Sequence, residues 1–196
     1  MFGDLSLASP SFDDPIGMLR SCHRRIERAV ELINRVAALA AGGPLSPAAR
    51  EALRHTLSYF ASGVPRHARD EEESLFPRLL SAVGPGGEPA AISTLEDDHR
   101  ALDAIHAEVD ALGRELLDAG RFDHPEKQLR FAALAGALRE RYGEHIRVED
   151  DEILPLAAEL MVPGELEAIG AEMAQRRGIE WGRHRELLAG FGARRW

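Results

Sequence analysis

Two stretches of this chain repeat one arrangement of histidine and glutamate. In each copy a glutamate follows a histidine by four residues, and an apolar pair with a proline ends the segment ten residues after that histidine. A solitary histidine precedes the pair by 44 residues in the first copy and by 46 in the second. The pattern is a duplicated His…His-x-x-x-Glu, and its members are His23, His67, Glu71, His99, His145 and Glu149.

The six side chains of this pattern form a ligand set for two metal ions. Four residues advance an α-helix by about 400° and about 6 Å, so each histidine shares a helix face with its glutamate. Imidazole nitrogen and carboxylate oxygen suit iron, with manganese or zinc as alternatives. We expect His23 and His67 to hold one iron, His99 and His145 to hold the other, and both glutamates to bridge the ions. An oxo or hydroxo bridge then leaves an open position for O2, NO or peroxide.

The same residues also have a purely structural interpretation. A single histidine is more often solvated or packed in a core than bound to metal, and one His-x-x-x-Glu pair is often a surface pair worth a few tenths of a kcal/mol. The repetition of both pairs, with matched solitary histidines, favours the metal site. Six such polar side chains buried in one core without metal would be costly.

The rest of the sequence predicts long helices and no strand. Three loops rich in glycine and proline separate segments rich in Ala, Leu, Arg and Glu, with apolar residues at three- and four-residue spacing. Asp14 with Pro15, and Ser46 with Pro47, are helix-start signals. The expected helices cover residues 15–41, 47–83, 90–119 and 126–160, with a shorter one near 164–177. The predicted fold is all-α: an antiparallel up-down-up-down four-helix bundle with a C-terminal helical extension.

The repeat also predicts how the chain is divided. Residues 1–160 are expected to form the bundle, with its halves, 15–83 and 90–160, related by a pseudo-two-fold axis. Residues 161–196 form an extension that packs on the bundle or lies at an oligomer interface, so the chain is a monomer or a homodimer. The basic tail at 176–196 docks on the acidic body, is solvated, or contacts a protein partner of unknown identity.

Composition excludes several classes of protein. The net charge of −9 argues against a nucleic-acid partner for the body of the protein. The single cysteine permits no internal disulfide and no cysteine-based metal site. The N-terminus lacks the basic and apolar regions of a signal peptide, and no apolar run approaches the roughly 20 residues that span a bilayer. A cytoplasmic location without membrane contact is expected.

Three further acids are candidates for roles around the metals. Glu27 follows His23 by four residues, as Asp103 follows His99. We predict that Glu27 and Asp103 support the histidines or add one ligand per iron; the alternative is that they are solvated acids. Glu72 is a candidate for an extra ligand, for hydrogen-bonding support of the site, or for a group through which iron enters.

Other residues near the pattern have two readings each. Tyr142, three residues before His145, is a candidate hydrogen-bond donor or redox-active group, or a core residue. His106 is about 10 Å along the helix from His99, too far for the same metal, and is expected in the core or in a channel. Pro65 and Gly143 precede a pattern histidine by two residues and weaken the helix there, which either aims the imidazoles or produces an ordinary kink.

The chain resembles the hemerythrin-type HHE cation-binding domain over roughly residues 15–160. The resemblance is carried by the six residues of the pattern, with Leu75-Phe76-Pro77 and Ile153-Leu154-Pro155 after the two glutamates. It implies a non-haem diiron centre inside a four-helix bundle, with those six residues as ligands. One departure is notable: oxygen-carrying worm hemerythrins use a fifth histidine four residues after the third-helix ligand, and Asp103 stands there in this chain.

The resemblance implies a choice of functions. The first is a module that binds or senses O2, NO or redox state, and the missing fifth histidine makes a dedicated O2 carrier less fitting. The second is a diiron enzyme or iron-delivery protein that removes NO or peroxide or repairs iron–sulfur centres. Ferritin-like iron oxidation is disfavoured, because those sites use Glu-x-x-His, with the opposite order and a different spacing.

Overall fold

A computed structural model describes residues 11–87 and 89–181, and this part of the chain contains helices, turns and loops but no strand. The α-helices are α1 (Pro15–Ala41), α2 (Pro47–Asp70), α3 (Phe76–Val83), α4 (Ala90–Ala119), α5 (Pro125–Val148), α6 (Leu154–Leu160) and α7 (Pro163–Arg176). Two π-helical segments, π1 (Glu71–Leu75) and π2 (Glu149–Ile153), join α2 to α3 and α5 to α6.

Four rods form the bundle: α1, the α2–π1–α3 rod, α4, and the α5–π2–α6 rod. Helix α1 contacts α2 and α5, and α4 contacts the same two helices, so the rods form a closed ring of antiparallel neighbours. The Asn34 side-chain amide of α1 donates to the carbonyl of Ala135 of α5 (2.8 Å), and Arg139 pairs with Glu31. The all-α up-down-up-down bundle predicted from the sequence is confirmed.

Helix starts follow the capping signals in the sequence. The Asp14 carboxylate accepts a hydrogen bond from the Gly17 backbone N–H (2.9 Å), and the Ser46 hydroxyl accepts one from Ala49 (3.2 Å). A proline occupies the first helical position after each of these caps, where its missing N–H costs nothing. Gly120 ends α4 in the left-handed conformation (φ 78°), which a residue without Cβ adopts freely.

The π-helical segments occur at the same place in both halves of the repeat. The backbone N–H of Phe76 donates to the carbonyl of Glu71, five residues back, and Leu154 donates in the same way to Glu149. A proline comes next in each copy, and proline has no N–H and clashes with the carbonyl four residues earlier. The wider π turn accommodates that proline. The sequence prediction of two unbroken helices, 47–83 and 126–160, is corrected in this respect.

The apolar core is divided into two clusters. One cluster includes Ile26, Leu53, Val109 and Phe131 and fills the end of the bundle away from the π segments. The other is built on α1, α3, α4, α6, α7 and the π segments, and its members include Leu19, Leu75, Phe76, Leu95, Ile153, Leu154, Ile169 and Met173. Along α1 and α4, the solitary histidines of the pattern lie between the residues of the two clusters.

Helix α7 packs on the end of the bundle that contains the π segments. It contacts α1, α2 and π1. Ile169 and Met173 are fully buried in the second apolar cluster, and Arg176 and Arg177 pair with the buried carboxylate of Asp70. Residues 182–196, with most of the predicted basic tail, lie outside the described residues. In the ranges that the structure describes, no helix has both the length and the apolar character needed to cross a membrane.

Candidate metal centre

The six side chains of the duplicated pattern meet in the middle of the bundle. All are buried: His23, Glu71 and Glu149 are 0% exposed, and the most exposed member, His99, is 8% exposed. Each of the four rods contributes at least one of them, and each His-x-x-x-Glu pair spans the junction of an α-helix with a π segment. Helical periodicity and the π turns together bring these polar groups to one point.

The cluster divides into two groups of four residues that share both carboxylates. The first group is His23, His67, Glu71 and Glu149, and the second is Glu71, His99, His145 and Glu149. Within each group one donor atom per residue lies within 4.8 Å of every other. The ring centroids are 4.9 Å apart for His23 and His67, and 4.7 Å apart for His99 and His145.

Each carboxylate directs one oxygen to each histidine pair. Glu71 Oε1 lies 3.4 Å from His67 Nε2, whereas its Oε2 lies 3.5 Å from His99 Nε2. Glu149 Oε2 lies 3.1 Å from His23 Nε2, whereas its Oε1 lies 3.3 Å from His145 Nε2. Each carboxylate could therefore supply one oxygen to a metal ion at either histidine pair.

Several buried polar atoms of the cluster make no hydrogen bond within the part of the chain that the structure describes. The atoms without a partner include both carboxylate oxygens of Glu71 and of Glu149, and the Nε2 atoms of His23 and His67. Orphaned donors and acceptors are rare in folded proteins, because burying them costs roughly 1–3 kcal/mol each. A pair of cations would satisfy them, so the residues present fit a binuclear metal site.

Without metal, the two carboxyl groups of the cluster differ in pKa, which is raised at Glu71 and lowered at Glu149. Burial, followed by the nearby charge of Glu149, raises the pKa of Glu71 to about 8. Burial has the same tendency at Glu149, but the adjacent imidazoles of His145 and His23 outweigh it and hold the pKa of that carboxyl well below its usual range. Two adjacent carboxylates in low dielectric cannot both ionise, so Glu149 carries the charge and Glu71 the proton.

The imidazoles of His23 and His67 also differ in pKa. Burial lowers the pKa of His23, but the hydrogen bond to Asp150 and the adjacent carboxyl groups of Glu149 and Glu71 outweigh it and raise the pKa to about 12. Burial and the charge of His23 lower the pKa of His67 well below its ordinary value. At neutral pH a His23 imidazolium therefore neutralises Glu149, and a metal ion must displace its proton.

Acids outside the cluster hold the outer nitrogens of the two solitary histidines. His23 Nδ1 lies 2.9 Å from Asp150 Oδ1, and His99 Nδ1 lies 2.7 Å from Glu72 Oε1. Glu72 and Asp150 each follow the glutamate of one pair by one residue, and each reaches the solitary histidine of the opposite half. A carboxylate there fixes the tautomer in which Nδ1 carries hydrogen and Nε2 presents its lone pair to the centre. We call this arrangement the crossed brace.

The second histidine of each pair is held less firmly. His145 Nδ1 lies 3.8 Å from Asp98 Oδ2, and His67 Nδ1 makes no hydrogen bond within the described chain. Sequence reasoning missed both Asp98 and Asp150. The repeat contained a signal for Asp150, which occupies the same position as Glu72, but none for Asp98, whose counterpart before His23 is Cys22.

A comparison with known families decides the identity of this helical unit. The sequence model of the hemerythrin HHE cation binding domain matches residues 14–157. The chain belongs to this family. The HHE domain thus covers the whole bundle as far as α6, and the resemblance drawn from the duplicated pattern is confirmed.

Curated relatives add no assigned activity to the HHE domain. An uncharacterized protein of Haemophilus influenzae is 27% identical over 173 residues, which cover 87% of this chain and 94% of the relative. A second match is the T-complex protein 1 subunit theta of Encephalitozoon cuniculi, 36% identical over 75 residues. That match covers 38% of this chain and only 14% of the relative, so the chain spans a small part of that protein.

Glu27 and Asp103 do not occupy the places expected of supporting acids. Both side chains are exposed, and the acids that contact the outer nitrogens of the HHE histidines are Glu72, Asp150 and Asp98. Pro65 and Gly143 lie within continuous α-helix, and the departure from α-geometry begins later, at the glutamates. Tyr142 is buried, and its hydroxyl is 2.8 Å from Nε2 of His106.

Proposed function

We propose that this HHE domain holds two iron ions and uses them to bind or sense O2, NO or redox state. The observation that carries the proposal is the bridging geometry: two groups of four ligands share both glutamates, and each glutamate presents one oxygen to each histidine pair. Imidazole and carboxylate donors in this proportion suit iron, with manganese and zinc as competitors. Bound iron supplies reversible electron transfer and an open coordination position for a diatomic ligand.

The protein's own residues prepare the site for this role. The crossed brace holds His23 and His99 with their Nε2 atoms toward the centre, and the π turns set Glu71 and Glu149 between the histidine pairs. The apolar clusters on either side limit the access of water, which strengthens electrostatic interactions inside the site. The domain therefore offers a buried, preorganised site to a small neutral ligand.

The missing fifth histidine favours sensing or redox chemistry over oxygen carriage. Asp103 is exposed, so that position supplies no imidazole to make the second ion more crowded than the first. Each ion would have four protein ligands from groups of the same composition. A symmetric, coordinatively unsaturated pair suits a response to NO, peroxide or O2 that changes the oxidation state of the ions.

Metal analysis with optical spectroscopy tests the proposal. Protein loaded anaerobically with ferrous iron should retain two ions per chain and, on aeration, develop the absorption of an oxo-bridged diferric centre. His67→Ala should lose both features, whereas His55→Ala, at a histidine whose side chain is 76% exposed, should keep them. Iron retention well below two ions per chain in the unmodified protein would overturn the diiron assignment.

Gas and peroxide titrations separate the candidate functions. A binding or sensing function is indicated if the spectrum bleaches on reduction and returns under O2 or NO. This cycle should repeat many times without consumption of the gas. Sustained loss of NO or peroxide with many turnovers indicates an enzyme, and transfer of iron to an apo iron–sulfur protein indicates delivery or repair.

Proton release provides an independent check. In the metal-free protein His23 has a pKa near 12 and Glu71 a pKa near 8, so both carry protons at pH 7 that a bridging metal pair must displace. Iron uptake in weakly buffered solution should therefore release protons, and apparent affinity should rise with pH between 6 and 8. Uptake without proton release would show that the metals bind elsewhere.

A further inference from the structure

A chain of rings leads away from the candidate metal centre, in which Tyr142 and Phe60 are buried and His106 is half-buried. Tyr142 lies one turn before His145 on α5, and the two rings are perpendicular with centroids 6.4 Å apart. The Tyr142 hydroxyl is 2.8 Å from Nε2 of His106, on α4. The His106 ring packs in turn against Phe60, with centroids 4.4 Å apart. Tyr142 is 4% exposed, so its hydroxyl is shielded from bulk water.

The hydrogen bond between these residues has a defined direction. Burial raises the pKa of the Tyr142 hydroxyl above its usual range, and burial lowers the pKa of His106 to about 4. At neutral pH the phenol is protonated and the imidazole is neutral, so the hydroxyl donates to the Nε2 lone pair. His106 then carries its hydrogen on Nδ1, which is buried and makes no hydrogen bond within the described residues.

This geometry is that of a proton-coupled electron donor. A phenol loses an electron readily only when its proton leaves in the same step, because the oxidised phenol is a very strong acid. His106 offers a neutral base in hydrogen-bonding distance, and His145 is the neighbouring ring on the side of the candidate metals. Simple core packing of Tyr142 would require neither the neutral base nor the adjacent ligand histidine.

We propose that Tyr142 is a redox-active residue that donates one electron to the metal centre while His106 Nε2 accepts its phenolic proton. The proposal rests on the proposed function, because the centre must hold iron. The electron transfer from Tyr142 takes place during the reduction of peroxide, when only one ferrous ion is present. Hydrogen peroxide takes two electrons and two solvent protons and gives two water molecules. A ferrous ion held by the six-residue cluster would supply one electron and become ferric. Tyr142 supplies the other electron while its phenolic proton passes to His106 Nε2, which leaves a neutral tyrosyl radical beside a His106 imidazolium.

The chain allows a clean assignment of such a radical, because its only tyrosines are Tyr59 and Tyr142. Iron-loaded full-length protein, reduced to about one ferrous ion per chain, is mixed with hydrogen peroxide and freeze-quenched for electron paramagnetic resonance. We expect a neutral tyrosyl signal that narrows when the protein contains ring-deuterated tyrosine. The signal should persist in the matched control Tyr59→Phe and be lost in Tyr142→Phe.

A second variant tests the role of His106. His106→Gln keeps a hydrogen-bond acceptor near the hydroxyl but removes the base, so the radical yield should fall while iron content and the diferric absorption are unchanged. If Tyr142→Phe fails to fold, 3-fluorotyrosine incorporated into the Tyr59→Phe protein marks Tyr142 alone, and the fluorine hyperfine splitting should appear in the signal.

The outcomes separate this inference from the proposed function. Two irons per chain and a diferric spectrum without any tyrosyl signal would overturn the inference and leave the diiron assignment intact. A signal of equal yield in Tyr142→Phe would also overturn it. Failure of the unmodified protein to retain iron would overturn both.

Discussion

The two halves of the repeat build the same cluster in different surroundings. Both place a histidine on the last α-turn, a glutamate at the start of a π segment and a second acid after it. In the first half, Asp70 precedes the glutamate; it is 0% exposed and pairs with Arg177 (2.7 Å) and Arg176 (3.0 Å) of α7. The equivalent residue of the second half is Val148, which packs against the second apolar cluster.

The difference extends along both π segments. Glu73 pairs with Arg176 of α7 (3.2 Å), and the Ser74 hydroxyl hydrogen-bonds both to Glu172 (2.5 Å) and to Arg176 (2.7 Å). Their equivalents in the second half, Asp151 and Glu152, are exposed. Since π turns form in both halves, the ion pairs to α7 are not what creates the geometry of the glutamates. We attribute that geometry to the proline after each π segment. The ion pairs to α7 add stability to the first half.

The largest expected effect comes from comparing the two glutamates in metal-free protein. Glu149→Ala removes the ionised partner of the His23 imidazolium and should lower the free energy of unfolding by roughly 3–5 kcal/mol. Glu71→Ala removes a protonated carboxyl and should cost roughly 1–3 kcal/mol. Urea unfolding in the presence of a chelator measures both. Equal losses would mean that the charge is not held by Glu149. With iron present, both variants should fail to retain two ions.

The ion pairs to α7 provide the next contrast. Asp70→Ala leaves Arg176 and Arg177 largely buried, at 11% and 17% side-chain exposure, without their shared carboxylate. We expect a loss of about 3 kcal/mol in urea unfolding of the metal-free protein. The matched change Val148→Ala in the second half should cost about 1 kcal/mol, from lost packing alone. Similar losses in the two variants would remove the distinction between the halves.

The crossed brace should act on metal affinity more than on folding. Glu72→Gln and Asp150→Asn replace equally exposed carboxylates, each 37%, with neutral acceptors. Each should weaken iron binding by roughly 10–100-fold, because a neutral amide makes the imidazole a poorer ligand. Competition with a coloured chelator measures the change. Asp151→Asn is the control, and an equal loss there would indicate a general effect of surface charge.

The smallest effect is expected at the position two residues before each paired histidine. Gly143 lies within α5 on its solvent-exposed face, and an added Cβ would have no neighbour within 4 Å. Gly143→Ala should therefore stabilise the protein by about 0.5–1 kcal/mol in thermal or urea unfolding, because alanine has a higher helix propensity than glycine. Iron content should stay unchanged. Lower iron content would show that Gly143 helps to aim His145.

The sequence predicted the bundle well because the signals for it are local. Caps at Asp14 and Ser46, glycine-rich loops and three- to four-residue apolar spacing each act within a few residues, and the helix bounds followed from them. The π segments were missed, although the signal was present: a proline that removes an N–H and crowds the carbonyl four residues earlier also acts locally.

The surroundings of the cluster were harder to predict, because they depend on contacts between rods. Four-residue spacing left two alternatives for Glu27 and Asp103, support of the histidines or solvation, and both residues are exposed. The buried stripe of α1 instead continues from His23 to Ile26 and Val30, at three and seven residues, which leaves the residue at four on the exposed side. Glu72 and Asp150 reach the histidine of the opposite half, and Asp98 reaches from α4 to His145 on α5. Helix periodicity within one rod contains no information about such contacts between rods.

The crossed brace also has a consequence for the order in which a nascent chain becomes able to capture metal. The acid that orients His23 lies 127 residues downstream, and Glu149 immediately precedes that acid. When only the first hairpin has left the ribosome, the chain therefore contains neither Glu149 nor Asp150. We therefore expect a half-synthesised chain to capture metal poorly, and we expect the centre to be loaded only when nearly all of the bundle has emerged.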